Sequence, residues 1–399
     1  MTFPHVIVIG AGLGGLCLAQ GLRRAGIDVI VYERDTEAVA RQQGYRIHIN
    51  SDGRAGLAHN LPADLYQLFL ATSGRADTDT PLFDHQLNVL DGWTGAPDEE
   101  PLVVDRLTLR QILLTGLADV VRFGHRFTHY SVAHDGPITA HFSDGRTATG
   151  DVLIAADGVN SAVREQYLPG APIVDVGVRQ ITGKVPLTED ARELFQDDMF
   201  GVFTPIIGPD RRFVGLGPVR HPEPIPAAVA RLAPGAHVQD VDDYVAVSFG
   251  CRAELLAFTD DELRAMTGMA LRDMVLEIIA DWHPRVRGMI TRWDPETVFP
   301  LILRTSVPVP AWPTSRVTLL GDAIHAMTPA GGVGANTALR DAAGLADALI
   351  DVVAGKPLEP RLAEYEAAMR DYGFAAVRYS ASNGVRVIGQ NPLPAGRSD

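Results

Sequence analysis

The pattern of apolar positions at the start of the chain predicts a strand, a helix and a second strand. Residues 5–9 and 28–32 are short apolar runs rich in β-branched residues, which is typical of buried strands. Between them, apolar residues recur at helical spacing from Leu13 to Ala25, and Gly26 follows where a helix commonly ends. These three elements match the start of a parallel α/β sheet.

The arrangement of apolar and polar residues changes twice further along the chain. Residues 1–170 continue with helical stretches and a third buried run at 152–156, whereas residues 171–300 consist of alternating segments separated by proline and glycine. Those segments predict an antiparallel sheet with one helix, at 268–282. Residues 301–399 again show the pattern of a strand followed by helices that is typical of an α/β domain. We therefore expect the α/β class: a discontinuous Rossmann-like nucleotide-binding domain from the first and last parts with C-terminal helices, and an inserted antiparallel sheet that binds substrate.

Length and composition restrict the class of protein. A chain of 399 residues with 46% hydrophobic residues is long enough for two lobes and a buried cofactor. Its formal net charge of −14 argues against nucleic acid or an anionic membrane as a partner, because both select basic surfaces. Cys17 and Cys251 match neither a disulfide framework nor a metal site. The chain shows no apolar stretch of membrane-spanning length and no signal peptide pattern, so we expect a cytoplasmic protein without a metal.

A glycine motif follows the first predicted strand directly. It fits the G-x-G-x-x-G pattern, in which the first glycine permits a tight turn, the second admits a pyrophosphate and the third lets the helix pack on the strand. The helix N-terminus would then face the phosphates with its free N–H groups. An acid at the end of the second strand is placed to accept from ribose hydroxyls. The first half of the candidate site is Gly10, Gly12, Leu13, Gly14, Gly15, Glu33 and Arg34.

A second glycine-rich motif lies near the other end of the chain. A predicted strand ends at Leu320 and would deliver Asp322 to the carboxyl edge of the sheet, where a carboxylate can accept from a ribityl chain. The glycine-rich turn that follows opens a helix, so its N–H groups can stabilise negative charge on a reduced flavin. The second half of the candidate site is Gly321, Asp322, Pro329, Gly332, Val333, Gly334, Ala335 and Asn336.

Each motif alone has other interpretations. The first also fits an NAD-binding Rossmann domain or a chance glycine turn, and the second fits a loop that only turns the chain. Together they predict one dinucleotide held at both ends, which we interpret as non-covalent FAD.

The chain resembles the class A flavoprotein monooxygenases, the group similar to p-hydroxybenzoate hydroxylase and the tetracycline-modifying monooxygenases. The resemblance covers essentially the whole chain. It rests on three motifs in order: Gly10 to Gly15 with Glu33, Ala156 to Arg164, and Gly321 to Asn336. By this resemblance, Asp157 and Gly158 serve the FAD pyrophosphate region and transient NAD(P)H binding, Arg106 reaches the flavin or its ribityl chain, and Arg46 contacts the flavin or the substrate.

The resemblance also implies a reaction. NAD(P)H reduces FAD, and a flavin C4a-hydroperoxide formed with O2 transfers one oxygen atom to an aromatic or polycyclic small molecule, which we interpret as a tailoring step in natural-product biosynthesis. Epoxidation and Baeyer–Villiger insertion fit the same motifs. A non-catalytic binding protein, similar to the guanine-nucleotide dissociation inhibitors, is the alternative from another class. Monomer and homodimer both remain open.

No catalytic acid or base is identified, but three residues are candidates. Arg46 and His48 alternate along residues 45–49 and can share one strand face near the flavin, although a solvated edge strand would look the same. His325 lies in the turn after Asp322, where it can approach the flavin or act as a capping or core histidine.

Overall fold

Two large sheets, two three-stranded sheets (β11-β10-β9 and β3-β7-β4) and a group of helices make up the described part of the fold. The computed structural model describes residues 4–37, 45–76, 79–93, 101–133 and 136–394. The strands are β1 (Val6–Ile9), β2 (Val29–Tyr32), β3 (Arg46–Ile49), β4 (Gly74–Arg75), β5 (Thr80–Asp84), β6 (Val89–Trp93), β7 (Leu102–Asp105), β8 (Val121–Arg122), β9 (Phe127–Val132), β10 (Ile138–Phe142), β11 (Thr147–Gly150), β12 (Val152–Ala155), β13 (Ile173–Pro186), β14 (Thr204–Ile207), β15 (Phe213–Val219), β16 (Tyr244–Arg252), β17 (Phe299–Ser306) and β18 (Val317–Leu319). The helices are α1 (Leu13–Arg24), α2 (Ser51–Asn60), α3 (Ala63–Ala71), α4 (Arg106–Leu114), α5 (Ala162–Tyr167), α6 (Glu189–Arg192), α7 (Ile225–Leu232), α8 (Asp260–Ala265), α9 (Gly268–Ile278), α10 (Pro284–Thr291), α11 (Asp322–His325), α12 (Gly334–Val353) and α13 (Leu358–Val387).

The first sheet is parallel and places the three motifs on one edge. Its strands lie in the order β18-β12-β1-β2-β8. Every residue of β1 and β12 is buried, as expected for a parallel sheet covered on both faces. Because these strands all point the same way, the loops after β1, β12 and β18 leave the same carboxyl edge.

The predicted strand, helix and strand at the start of the chain are confirmed as β1, α1 and β2. Helix α1 ends at Arg24, and Gly26 follows with a φ of 72°, the left-handed conformation that commonly terminates a helix. The helix predicted at 268–282 is shorter in the structure, where α9 ends at Ile278. A separate helix, α10, begins at Pro284, because the proline ring fits the first turn of a helix and not its interior.

The second sheet forms the other lobe. Its strands lie in the order β17-β13-β16-β15-β14-β5-β6, and neighbouring strands are antiparallel except for β14 and β5. One face buries side chains such as Ile181, Val247 and Phe249 in a core shared with α8, α9 and α10. This sheet includes β5, β6 and residues to 306, in addition to segments from 171–300. The predicted fold class, a parallel core with a separate antiparallel sheet, is confirmed.

Helix α12 packs against helices from both the N-terminal and the C-terminal part of the chain. It packs on α1 and α2, and Gly14 lets α1 approach closely: a Cβ there would lie 2.7 Å from Leu320 Cδ1 and 3.3 Å from Ala338 O. The same apolar core includes residues of α1, α12 and α13, so N-terminal and C-terminal segments pack around one core. Within the described ranges, no helix combines the length and apolar character needed to cross a membrane.

Candidate functional site

The loop after β1 requires glycine at two positions and leaves space at a third. Gly10 has a φ of 107°, and a Cβ there would lie 2.3 Å from Ala156 O. A Cβ on Gly15 would lie 2.3 Å from Gly10 O. Gly12 has an ordinary φ of −78°, and the nearest atom to an added Cβ is Ala156 O at 4.0 Å. The region in front of Gly12 is therefore open, which suits the approach of a pyrophosphate.

Helix α1 presents its N-terminus at this loop. The helix begins at Leu13, its N-cap residue Gly12 makes no side-chain hydrogen bond, and its first turn contains no acidic residue. The leading N–H groups of an α-helix have no partner within the helix, so they can bind an anion.

Glu33 is held at the end of β2 by two backbone hydrogen bonds. Its Oε2 accepts from Ala11 N at 2.8 Å, and its Oε1 accepts from Asp35 N at 2.9 Å. Each carboxylate oxygen can accept a second hydrogen bond, so this buried side chain can still bind a ribose hydroxyl. The neighbouring Arg34 is exposed.

Arg110 supports the same loop and was not predicted. Its Nε donates to Ala11 O at 3.0 Å, and the side chain is buried. Arg110 lies four residues after Arg106 on α4, on the same helix face. That spacing was visible in the sequence, but it did not distinguish a loop contact from an ordinary helix-surface pair.

The loop after β12 is organised by Asp157. Asp157 Oδ2 accepts from Ala162 N at 3.0 Å, while its Oδ1 is buried without a hydrogen-bond partner. Burial raises the pKa of the Asp157 carboxyl, against the hydrogen bonds that lower it. Arg164 Nη1 donates to Ala323 O at 3.0 Å and so joins this loop to the segment after β18. Gly158 has a φ of 79°, a conformation that favours glycine.

The segment after β18 brings Asp322 next to Arg106. Gly321 has a φ of 60°, and its N–H donates to Asp341 Oδ2 at 2.7 Å. Asp322 is accessible to solvent, yet enough protein surrounds it that burial raises the pKa of its carboxyl, against the opposing charges of His325 and Arg106. Asp322 and Arg106 are therefore close enough for their charges to interact. We use the word cleft for the region at the carboxyl edge of the first sheet that is bordered by the loops after β1, β12 and β18, the start of α12, and strand β3.

His325 lies in the protein interior behind this segment. Its Nε2 is 2.6 Å from Asp341 Oδ2, and Tyr372 donates from its hydroxyl to Asp341 Oδ1 at 2.7 Å. Both His325 and Asp341 are fully buried. Burial alone would lower the pKa of His325, but the Asp341 carboxylate reverses the effect and raises it. This environment matches the core-histidine interpretation more closely than direct contact with the flavin.

The second glycine-rich loop has the geometry of another anion site. Gly332 has a φ of 66° and is exposed, and α12 begins at Gly334 without a side-chain cap. The exposed and half-buried members of this loop are Pro329, Ala330, Gly331, Gly332, Val333, Gly334 and Ala335. As for α1, the free N–H groups at the start of α12 are available to an anionic or electron-rich group.

Asn336 fastens this loop to β3. Its Nδ2 donates to His48 O at 3.0 Å, and its Oδ1 accepts from Asn50 N at 3.0 Å. Asn336 is buried, so both ends of its amide are used to hold the two segments together. The C-terminal loop and β3 therefore form one wall of the cleft.

Arg46 and His48 share the cleft face of β3, as predicted for alternating residues. A Cβ on Gly332 would lie 3.7 Å from His48 Nδ1, and a Cβ on Gly217 would lie 2.6 Å from Arg46 Cδ. His48 thus adjoins the glycine loop, and Arg46 adjoins strand β15 of the second sheet. Burial and the charge of Arg46 lower the pKa of His48 to about 4, so His48 is neutral near pH 7.

An ion pair between the two lobes was not predicted. Asp105 Oδ2 accepts from Lys184 Nζ and from the Tyr244 hydroxyl, each at 2.8 Å, while Asp105 Oδ1 accepts from Leu107 N and Thr108 N. Asp105 is fully buried. Its partners lie 79 and 139 residues away in sequence, so no local pattern could indicate them.

The structure brings most of the predicted residues to one cleft. The N-terminus of α1 and the open space at Gly12 suit a pyrophosphate. The Asp322 carboxylate suits the hydroxyls of a ribityl chain, and the N-terminus of α12 suits a ring that gains negative charge on reduction. The residues present therefore fit FAD.

The family comparison agrees with this geometry. A family model described as an FAD binding domain matches residues 4–238 and 291–380. The chain belongs to this FAD-binding family.

Relatives of the FAD-binding protein include FAD-dependent monooxygenases. A dual O-methyltransferase/FAD-dependent monooxygenase of Cercospora beticola is 32% identical over 417 residues, which cover 97% of this chain and 47% of the relative. The chain thus spans about half the length of that relative. An FAD-dependent urate hydroxylase of Klebsiella pneumoniae is 30% identical over 377 residues, covering 90% of this chain and 84% of the relative. The predicted family resemblance is confirmed.

A solved structure supports the same conclusion. Klebsiella pneumoniae HpxO, complexed with FAD and uric acid, superposes with a TM-score of 0.76 and 26% identity, covering 96% of this chain and 89% of HpxO. FAD is the cofactor that these comparisons support.

Proposed function

We propose that this protein is an FAD-dependent, NAD(P)H-consuming monooxygenase that acts on an aromatic or polycyclic small molecule. The observation that carries the proposal is that three distant motifs leave the same edge of one sheet and bring together Asp322 and two helix N-termini that no side chain caps. The confirmed membership in a family with monooxygenase relatives supports the same activity.

The residues of the cleft have distinct roles in this proposal. The N-terminus of α1 binds the pyrophosphate, Glu33 binds the adenosine ribose, and Asp322 accepts from the ribityl hydroxyls. The N–H groups at the start of α12 stabilise negative charge at the flavin ring. When bound, FAD supplies the electron transfer from NAD(P)H to O2 that the protein side chains cannot perform.

The second sheet closes the cleft on the substrate side. Gln180, Lys184 and Ser248 alternate with core residues and are half-buried, so they lie on the face away from the α8–α10 core. This face limits the access of water to the reaction centre, which an oxygen-transfer reaction requires. Overall, one oxygen atom of O2 enters the substrate, the other leaves as water, and NAD(P)H supplies two electrons.

Epoxidation and Baeyer–Villiger insertion use the same cofactor arrangement and remain within this proposal as alternatives. Zeaxanthin epoxidase of Oryza sativa, which is 27% identical over 357 residues, shows that the relatives include an epoxidase.

The activity can be tested by following NADH and NADPH oxidation by the FAD-loaded protein with a panel of phenols, quinones and polycyclic aromatics. A compound that accelerates oxidation is then converted under ¹⁸O-labelled dioxygen. The proposal predicts one labelled oxygen atom in the product. A dehydrogenase would give an unlabelled product, and a non-catalytic binding protein would show no oxidation that depends on a compound.

A further inference from the structure

Arg46 is half-buried, and two of its guanidinium nitrogens have no partner in the described part of the chain. Its Nε and Nη2 are buried and have no hydrogen-bond partner. Hydrogen-bonding groups of a charged side chain are costly to leave unpaired in the interior. Burial lowers the pKa of Arg46 to about 10, and the group that opposes this shift is Tyr244 rather than a carboxylate. Arg46 nevertheless stays protonated near neutral pH.

The nearest carboxylate in the strand register is already occupied. Arg46 lies opposite Asp105 in the β3–β7 pair. However, the two oxygens of Asp105 accept hydrogen bonds from Lys184, Tyr244 and the first turn of α4. Lys184, the other cation at this junction, is therefore paired, whereas Arg46 is not.

The side chain of Arg46 is directed toward the substrate lobe. A Cβ on Gly217 of β15 would lie 2.6 Å from Arg46 Cδ, so glycine at this position makes room for the arginine. His48, on the same strand face, is next to the flavin-side loop at Gly332. Residues two apart on a strand are separated by about 6.7 Å, so Arg46 is one step farther from that loop.

The positions of the two unpaired nitrogens restrict the kind of ligand group that Arg46 can bind. Nε and one terminal nitrogen form one edge of the planar guanidinium, and their parallel N–H groups match the two oxygens of a carboxylate. A single hydroxyl or a carbonyl would satisfy only one of them.

We propose that Arg46 is the substrate anchor of this protein and that the substrate is an aromatic carboxylate bound through the Nε and Nη2 edge of Arg46. This inference rests on the proposed function, because it assumes that the cleft beside the flavin receives an aromatic substrate. Arg46 determines specificity by orienting the ring, and no bond to Arg46 forms or breaks.

Ligand binding to the FAD-loaded protein tests the proposal without turnover. Aromatic carboxylates of increasing size (benzoate, 2-naphthoate and anthracene-2-carboxylate) and their neutral carboxamides are titrated while the flavin absorbance is recorded. At least one carboxylate is expected to bind more tightly than its carboxamide. Arg46→Gln should weaken carboxylate binding about 10- to 100-fold and leave carboxamide binding nearly unchanged, as the loss of a charge-assisted pair implies. Arg46→Lys, which keeps the charge but not the planar edge, should restore only part of the affinity.

Arg285→Gln is the matched control, because Arg285 is an exposed arginine of α10. Thermal stability of the ligand-free variants supplies a second readout: Arg46→Gln should be at least as stable as the wild type, since it removes a charged group whose buried Nε and Nη2 lack hydrogen-bond partners. The proposal is overturned if no carboxylate is preferred over its carboxamide, or if Arg46→Gln leaves carboxylate affinity intact. It is also overturned if the substitution weakens FAD binding instead, which would assign Arg46 to the cofactor. Failure of the monooxygenase proposal would appear separately, as absent NAD(P)H oxidation in a protein that still binds carboxylates.

Discussion

The side-chain amide of Asn336 donates a hydrogen bond to the backbone carbonyl of His48 at 3.0 Å, across 288 residues of sequence. The same amide accepts from Asn50 N, so one buried side chain joins the C-terminal glycine loop to the strand that carries Arg46 and His48. The spacing between this glycine loop and the two side chains of β3 therefore depends on this contact.

Replacing Asn336 should loosen that wall of the cleft. Asn336→Ala leaves a partly buried carbonyl and a partly buried N–H without their partner, so we expect the free energy of unfolding to fall by about 1–3 kcal/mol and FAD affinity to decrease. Chemical denaturation and FAD titration measure the two effects. Asn383→Ala on α13 is the control. Equal stability and equal FAD affinity of Asn336→Ala and the wild type would contradict the role assigned to Asn336.

Gly10 and Gly12 should respond differently to substitution. Gly10→Ala places a Cβ 2.3 Å from Ala156 O at a φ of 107°, so we expect loss of folding stability. Gly12→Val meets no protein atom closer than 4.0 Å to its Cβ, so the protein should fold but fail to bind FAD. Circular dichroism and FAD titration separate these outcomes. A Gly12→Val protein that binds FAD normally would show that the pyrophosphate lies elsewhere.

Asp322→Ala should weaken FAD binding by about 1–3 kcal/mol, because ribityl hydroxyls would lose an acceptor. Since burial raises the pKa of Asp322, its ionised form does not stabilise the apoprotein, and the melting temperature without FAD should not fall. Fluorescence titration of the apoprotein gives the affinity, with Asp261→Ala on α8 as the control. Unchanged FAD affinity would remove Asp322 from the site.

The His325–Asp341 pair predicts a pH dependence of stability. The pKa of His325 is raised above its ordinary value of 6.5, so the pair contributes fully below pH 6.5 and its contribution is lost as the pH rises through the folded-state pKa. The melting temperature of His325→Gln should therefore lie furthest below that of the wild type in the acidic range, and the difference should shrink toward alkaline pH. A pH-independent difference would mean that the charged pair does not form.

Much of the geometry of the candidate cofactor site could be predicted from the sequence, because it depends on contacts between residues close together in the chain. The turn at Gly10 and the contact between Gly15 and Gly10 O allow only glycine, and such constraints appear directly as a motif. The alternation of Arg46 and His48 likewise predicted a shared face, since side chains on a strand alternate.

The parts that could not be predicted depend on contacts between distant segments. The ion pair of Lys184 with Asp105 and the pairing of β5 with β14 join residues that no periodicity relates. The burial of His325 could not be predicted either. Its position after Asp322 was evident from the sequence, but only the packing around Asp341 shows that its side chain is fully buried.

The flavin content of the protein shows whether the N-terminal and C-terminal motifs hold one FAD between them. The protein is unfolded after incubation with excess FAD and removal of the unbound cofactor, and the released flavin is quantified for the wild type and for Gly12→Val and Asp322→Ala. We expect equimolar FAD in the wild type, none in Gly12→Val and a reduced amount in Asp322→Ala. A folded wild-type protein that retains no FAD would contradict this expectation.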